Sequence, residues 1–370
     1  MLREERRVKP YQGHLFIDDT KPPEGLPADP VFIYEDRRYL NFSTLDCFHL
    51  RNNDYLKEAA KLGIDAQGLT GSDGRNDAEE QLKKAMADFK KTEALLFFPD
   101  EISAAFAAFS RFGPKATFFV DCETSPTILA VLQSRNIEYY KHEDLDQLRK
   151  LLAAHSERVL VLDGIYEWSG TISPMNGLIG IAKETDCFIV GNELGTFGFL
   201  GRDGRGLVDF FNLYDEVNLE IGSFHRFLGG FGAYVAAKKY LINKVWENIA
   251  RHAVPVPQFL LDVNRASLEF LRDEKANKKM FQKLWSHSRY IITRLKQDGF
   301  NTRSDTPIVV VAFGNEDEAK GVAHQLFQVG VIVGQYQERI RIIPSIEHTQ
   351  EDIDTGLDKL LGVTRDLGIK

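Results

Sequence analysis

Cysteine, methionine and tryptophan are scarce in this chain of 370 residues, at 3, 4 and 3 copies. The cysteines, Cys47, Cys122 and Cys187, are widely spaced and odd in number. That spacing argues against a disulfide framework and suits free thiols in a reducing, cytoplasmic compartment. Long apolar runs are lacking: none approaches the roughly 18 residues of a membrane helix, and no signal-peptide pattern opens the chain. There is no excess of basic charge either. A net charge of −8 argues against a nucleic-acid surface, which needs clustered Lys and Arg. The 9 histidines show no H-E-x-x-H spacing, so no metal site is expected. The glycine-rich stretch 63–74 lacks the G-K-[ST] ending of a phosphate-binding P-loop. Internal repeats and low-complexity tracts are absent.

What is present is an ordinary globular composition, 43% hydrophobic and 27% charged, with a length that suggests about two domains. Residues 1–45 read as an N-terminal arm, broken by Pro22, Pro23, Pro27 and Pro30 and ending in a short hairpin candidate at 31–34 and 38–42. Helical patterns follow at 55–61 and 77–89, the second with Leu82, Met86 and Phe89 on one face. Short apolar runs at 94–98, 116–121, 159–163, 187–191, 217–221 and 234–237 then alternate with helical patterns at 102–112, 126–135, 145–155 and 176–185. Continuous apolar strands alternating with helices predict an α/β domain, 46–250, with a mostly parallel sheet covered on both faces. Beyond Val254-Pro255-Val256-Pro257 the pattern changes. Long helices at 259–272 and 276–298 lead to strands at 308–313, 331–335 and 339–344 and helices at 316–329 and 350–367, a small α+β domain over 251–370.

The stretch 217–239 stands out as strand, glycine-rich turn, strand, with Gly222, Gly229, Gly230 and Gly232 permitting close backbone approach or unusual conformations. Its core, Gly222-Ser223-Phe224-His225-Arg226-Phe227-Leu228-Gly229-Gly230-Phe231-Gly232-Ala233-Tyr234, resembles the G-[TS]-[FL]-S-K-A-L-G-x-x-G-G-[YF] motif of the α-oxoamine synthases. Those are pyridoxal-phosphate (PLP) enzymes that join an amino acid to an acyl-CoA with loss of carbon dioxide. The resemblance runs from about Tyr39 onward. It implies fold type I of the PLP-dependent enzymes, with a large and a small domain and a site at a dimer interface.

The same resemblance assigns the pocket. The lysine that holds PLP as a Schiff base falls at Arg226, whose guanidinium stays protonated and cannot condense with an aldehyde. The aspartate that pairs with the pyridine nitrogen falls at Asn192, before the retained Glu193, and the histidine of that motif falls at Gly195. The ring-stacking histidine falls at Ser125. The phosphate cradle falls at Asp100 and Glu101, where carboxylates would repel a phosphate and compete for the positive helix end. Asp100 also reads as a plain helix cap. Ser223, within the glycine-turn motif, completes the degenerate pocket positions. Arg339 matches the first arginine of an R-[LI]-R motif that clamps the substrate carboxylate, and Tyr166 and Trp168 are candidate walls of the same cleft. No catalytic residue is expected, and the cofactor is expected to be lost.

Among relatives the pattern is most similar to the non-catalytic subunit of serine palmitoyltransferase, at Gly164-Ile165-Tyr166 through Gly170-Thr171-Ile172-Ser173-Pro174 and from Glu193 to Gly201. That subunit carries a membrane helix, which this chain lacks. Three roles follow. The first is a pseudoenzyme subunit for sphingoid-base synthesis, a homodimer or a heterodimer with a lysine-bearing paralogue. The second is an enzyme with altered chemistry, using the amine form of the cofactor with a histidine in place of the lysine, for which His225, one residue before the lysine position, is the candidate. The third is a homodimeric binding module using the old cleft.

Overall fold

The computed structural model describes residues 29–65 and 77–369. The N-terminal arm up to residue 28 and most of the glycine-rich stretch 63–74 lie outside the described residues. Strands β1 (Val31–Tyr34) and β2 (Arg37–Asn41) form an antiparallel hairpin. Helices α1 (Asp54–Asp65) and α2 (Asp77–Lys90) follow, and Leu82, Met86 and Phe89 of α2 are buried.

The large domain then alternates as the sequence implies: β3 (Ala94–Phe98), α3 (Glu101–Ser110), β4 (Thr117–Asp121), α4 (Pro126–Leu132), β5 (Asn136–Tyr140), α5 (Leu145–Ala153), β6 (Arg158–Asp163), α6 (Met175–Glu184), β7 (Phe188–Glu193), α7 (Leu207–Phe211), β8 (Leu219–Ser223), β9 (Ala233–Ala237) and α8 (Lys239–Ile249). The seven strands order as β3-β9-β8-β7-β6-β4-β5. Pairing is parallel from β8 to β5, while β9 runs antiparallel to both neighbours. Successive residues feed opposite layers, as strand geometry requires. Phe118 and Val120 pack with the alanines of α3 and with α8, while Phe119, Leu160 and Leu162 pack with α5 and α6.

α9 (Gln258–Arg272) packs with α1, α2 and the turn between β8 and β9, and the small domain follows with α10 (Glu274–Gln297), β10 (Val309–Ala312), α11 (Glu316–Gln328), β11 (Val331–Ile332), β12 (Gly334–Tyr336), β13 (Arg339–Ile342) and α12 (Gln350–Asp366). The single strand expected over 331–335 is split between two sheets. β11 pairs in parallel with β2 of the N-terminal hairpin, whereas β12 joins β13 and β10 in the order β10-β13-β12. Leu40 and Phe42 therefore sit in the small-domain core with Val331 and Ile342. Among the described residues no helix is long and apolar enough to cross a membrane.

A buried charge cluster braces the sheet below the glycine turn. Lys90 pairs with Glu193 and, at 2.9 Å, with Glu220, and donates to the Arg205 carbonyl at 2.6 Å. Tyr234 donates to Glu193 at 2.9 Å, so α2, β7, β8 and β9 are tied together at one point. The retained Glu193 is thus explained by packing alone.

Candidate active-site cleft

In an open parallel sheet, ligands bind beyond the carboxyl ends of the strands. Here those ends present Asp121 (β4), Asp163 (β6), Asn192 (β7) and Ser223 (β8). The turn from β8 to β9 is shaped by its glycines. Gly232 has φ +74°, and a Cβ there would lie 2.4 Å from the Phe98 carbonyl oxygen. Gly222 leaves room for the Tyr234 ring, which a Cβ would meet at 2.2 Å. In this turn Phe224, Phe227 and Leu228 are buried in the core, while Arg226 is half-buried.

Arg226 is held from two sides, by Glu101 and by Glu167, which lines the cleft. Its Nε and Nη2 donate to the two oxygens of Glu101 at 3.2 and 3.4 Å, and its Nη1 pairs with Glu167. Burial opposes ionisation of Glu101, but the charge and hydrogen bonds of Arg226, with a further bond from Ser223, outweigh it and hold its pKa below the usual value. Asp100 caps α3, accepting from the Ser103 amide at 2.7 Å. Glu101 therefore faces the guanidinium, and Asp100 serves the Ser103 amide. His225 is exposed beside Phe231, its amide donating to Ser223 Oγ at 3.0 Å.

The floor is formed by Asn192, whose amide donates to Asp163 Oδ1 at 2.5 Å, and by Thr124, which donates to Asp163 Oδ2 at 2.9 Å. Burial drives the Asp163 pKa up to about 7 despite these bonds. Ser125 starts α4 without capping it, and its buried Oγ has no hydrogen-bond partner among the described residues. A cavity of about 20 Å³, room for one water, lies among Glu123, Ser125, Asp163, Glu167, Trp168 and Asn192. Gly195 also lines it.

Arg339 comes to this cavity from the small domain. Its Nη1 donates to Glu123 Oε1 at 2.7 Å and to the Trp168 carbonyl at 2.8 Å. The carboxylate facing Arg339 is thus the chain's own. Trp168 is buried under Arg341, whose guanidinium lies 4.5 Å from the indole centroid, and Tyr166 is buried against His142. Sequence reasoning missed the partners: Glu123, Glu167, Asp163 and Arg341. An unpaired arginine at position 226 was the available signal, since a cation in a cleft demands nearby carboxylates.

No family profile matches the chain. It is 27% identical to 8-amino-7-oxononanoate synthase of Thermoanaerobacter pseudethanolicus, over 93% of this chain and 92% of that protein. Serine palmitoyltransferase from S. paucimobilis, solved with PLP–myriocin bound, superposes with TM-score 0.82 at 20% identity, covering 91% of this chain and 90% of that one. The 8-amino-7-oxononanoate synthase of Francisella tularensis superposes with TM-score 0.80 at 20% identity, covering 90% and 99%. These relatives support the α-oxoamine synthase family. The fold is fold type I of the PLP-dependent enzymes.

The expectation of a lost cofactor is corrected here, because solved structures sharing this fold, at TM-scores of 0.80 to 0.82, carry PLP. Substitutions at pocket positions do not by themselves establish loss. What the side chains of this cleft exclude is narrower: residue 226 has no amine for a covalent bond to PLP. Asp163, Asn192 and Ser125 are the polar groups that would face a pyridoxal ring, but the cavity they line has room for one water and not for the ring. When bound, PLP supplies an electron sink for carbanion chemistry. Among the described residues no group of His, Cys, Asp and Glu is placed to hold a metal ion.

Proposed function

We propose that this chain is a catalytically degenerate relative of the α-oxoamine synthases that acts as the non-catalytic subunit of an acyl-CoA:amino-acid condensing enzyme. The observation that supports this reading is Arg226, which the motif resemblance sets at the nucleophile position, paired with Glu101 and Glu167. A guanidinium is not an amine that can condense with an aldehyde. The reaction then belongs to a lysine-bearing paralogue in a heterodimer.

An exposed apolar strip supports a partner. Ile102, Phe106 and Val254 are 58%, 60% and 67% exposed around a groove of about 230 Å³ beside α3. Apolar patches of this kind commonly mark association surfaces. The stretches around Gly164–Pro174 and Glu193–Gly201 favour a sphingoid-base system. A second reading, a biotin-type condensation, is favoured by the 8-amino-7-oxononanoate synthases among the relatives.

The test is release of free CoA from acyl-CoA and amino acid, with PLP supplied. The reading expects no release by the chain alone and release when it is mixed with the paralogue, above what the paralogue gives unaided. Turnover by the chain alone would refute it.

A further inference from the structure

Glu167 is contacted by two arginines from different parts of the molecule. Its Oε1 meets Arg226 of the glycine turn, and its Oε2 accepts from Arg341 Nη1 at 3.2 Å. Arg341 lies on β13 of the small domain, with a side chain only 1% exposed. On the far side of Arg226 stands Glu101, at the start of α3. Four side chains of alternating charge therefore run from α3 through the turn and the loop after β6 to the small-domain sheet: Glu101, Arg226, Glu167, Arg341. The next residue after Glu167 extends the junction. Trp168 packs its ring on Arg341 and on Tyr336 of β12, 5.3 Å away, and its carbonyl accepts from Arg339.

We infer that Glu167 is an interdomain tether, held in place by Arg226, through which residue 226 fixes the small domain against the mouth of the cleft. A carboxylate shared by two guanidiniums has its orientation set by both. When one is removed, the bond to the other loosens, because the freed oxygen seeks water and draws the side chain out of its half-buried seat. Pairs this enclosed are also weakly screened by salt. Glu167 contacts both Arg226 and Arg341 of β13, so it links the glycine turn to the small-domain sheet. This gives the arginine at the former nucleophile position a role that does not depend on the proposed subunit function.

Hydrogen exchange of the full-length chain, read by mass spectrometry, tests the tether. Arg226→Met is expected to raise exchange by about tenfold or more in the peptide spanning 334–342, as well as locally in 98–103 and 222–232. A rise confined to 98–103 and 222–232 would overturn the tether. Should Arg226→Met unfold the protein, Glu167→Gln keeps the shape of the side chain and serves in its place. With its far-UV circular dichroism unchanged, it must loosen both 222–232 and 334–342. Loosening of only one of them, or of neither, would overturn the inference.

Discussion

Asp163 lies at the floor of the cleft, and its replacement has a pH signature that can be worked from the structure. Burial raises its pKa from 3.8 to about 7 in the folded chain. The folded state therefore binds this proton more tightly than the unfolded state. The resulting stability is fully present below the unfolded value, is lost as pH rises from about 4 through about 7, and is flat beyond. At about 1.4 kcal/mol per unit, the two units between about pH 5 and about pH 7 correspond to about 3 kcal/mol. Asp163→Asn removes the titration. The variant should gain about 3 kcal/mol on the wild type between about pH 5 and about pH 8, in urea denaturation followed by tryptophan fluorescence. Asn192 retains an acceptor at position 163, so the fold is expected to persist. A wild-type-to-variant difference independent of pH would show that Asn192 and Thr124 keep Asp163 ionised, and the argument from burial would fail.

Three further perturbations probe other parts of the account. Incubation of the wild type with PLP followed by borohydride reduction should leave no adduct at residue 226 by peptide mass spectrometry; an adduct there would contradict the reading of Arg226. Lys90→Met leaves Glu193 and Glu220 buried without their cation and should cost about 3–5 kcal/mol in denaturant unfolding, and adding Glu220→Gln should recover part of that loss. Asp100→Ala removes the cap of α3 and should lower stability by about 1 kcal/mol, whereas a neutral result would mean that another group serves the Ser103 amide.

Much of the large domain was legible because its strands are continuous apolar runs between turn signals. Three elements escaped, among them α7, which is only 5 residues long. β5 begins with Asn136 and alternates weakly, since it is the edge strand and only Tyr140 is fully buried along it. α8 follows β9 directly, so the apolar spacing of Leu241, Ile242, Val245 and Ile249 merged with the strand signal. The split of 331–335 was hidden because each half is too short to show a period, and only the two partners, β2 and β13, distinguish them.

In the cleft, the glycine turn and Arg226 could be read from local sequence, because a motif of a dozen residues reports its own geometry. Their partners could not. Glu101 and Glu167 are carried by separate elements, and Arg341 by another domain, so only the fold brings them together. The Asp163–Asn192 bond was equally inaccessible, because it joins the ends of two strands whose register sequence does not encode. Reading position 192 alone therefore missed the carboxyl group beside it.

The central claim, a non-catalytic subunit, is tested most directly by the native mass of the complex recovered gently from source cells. A heterodimer of this chain with a lysine-bearing paralogue is the predicted result. A homodimer alone would contradict the account.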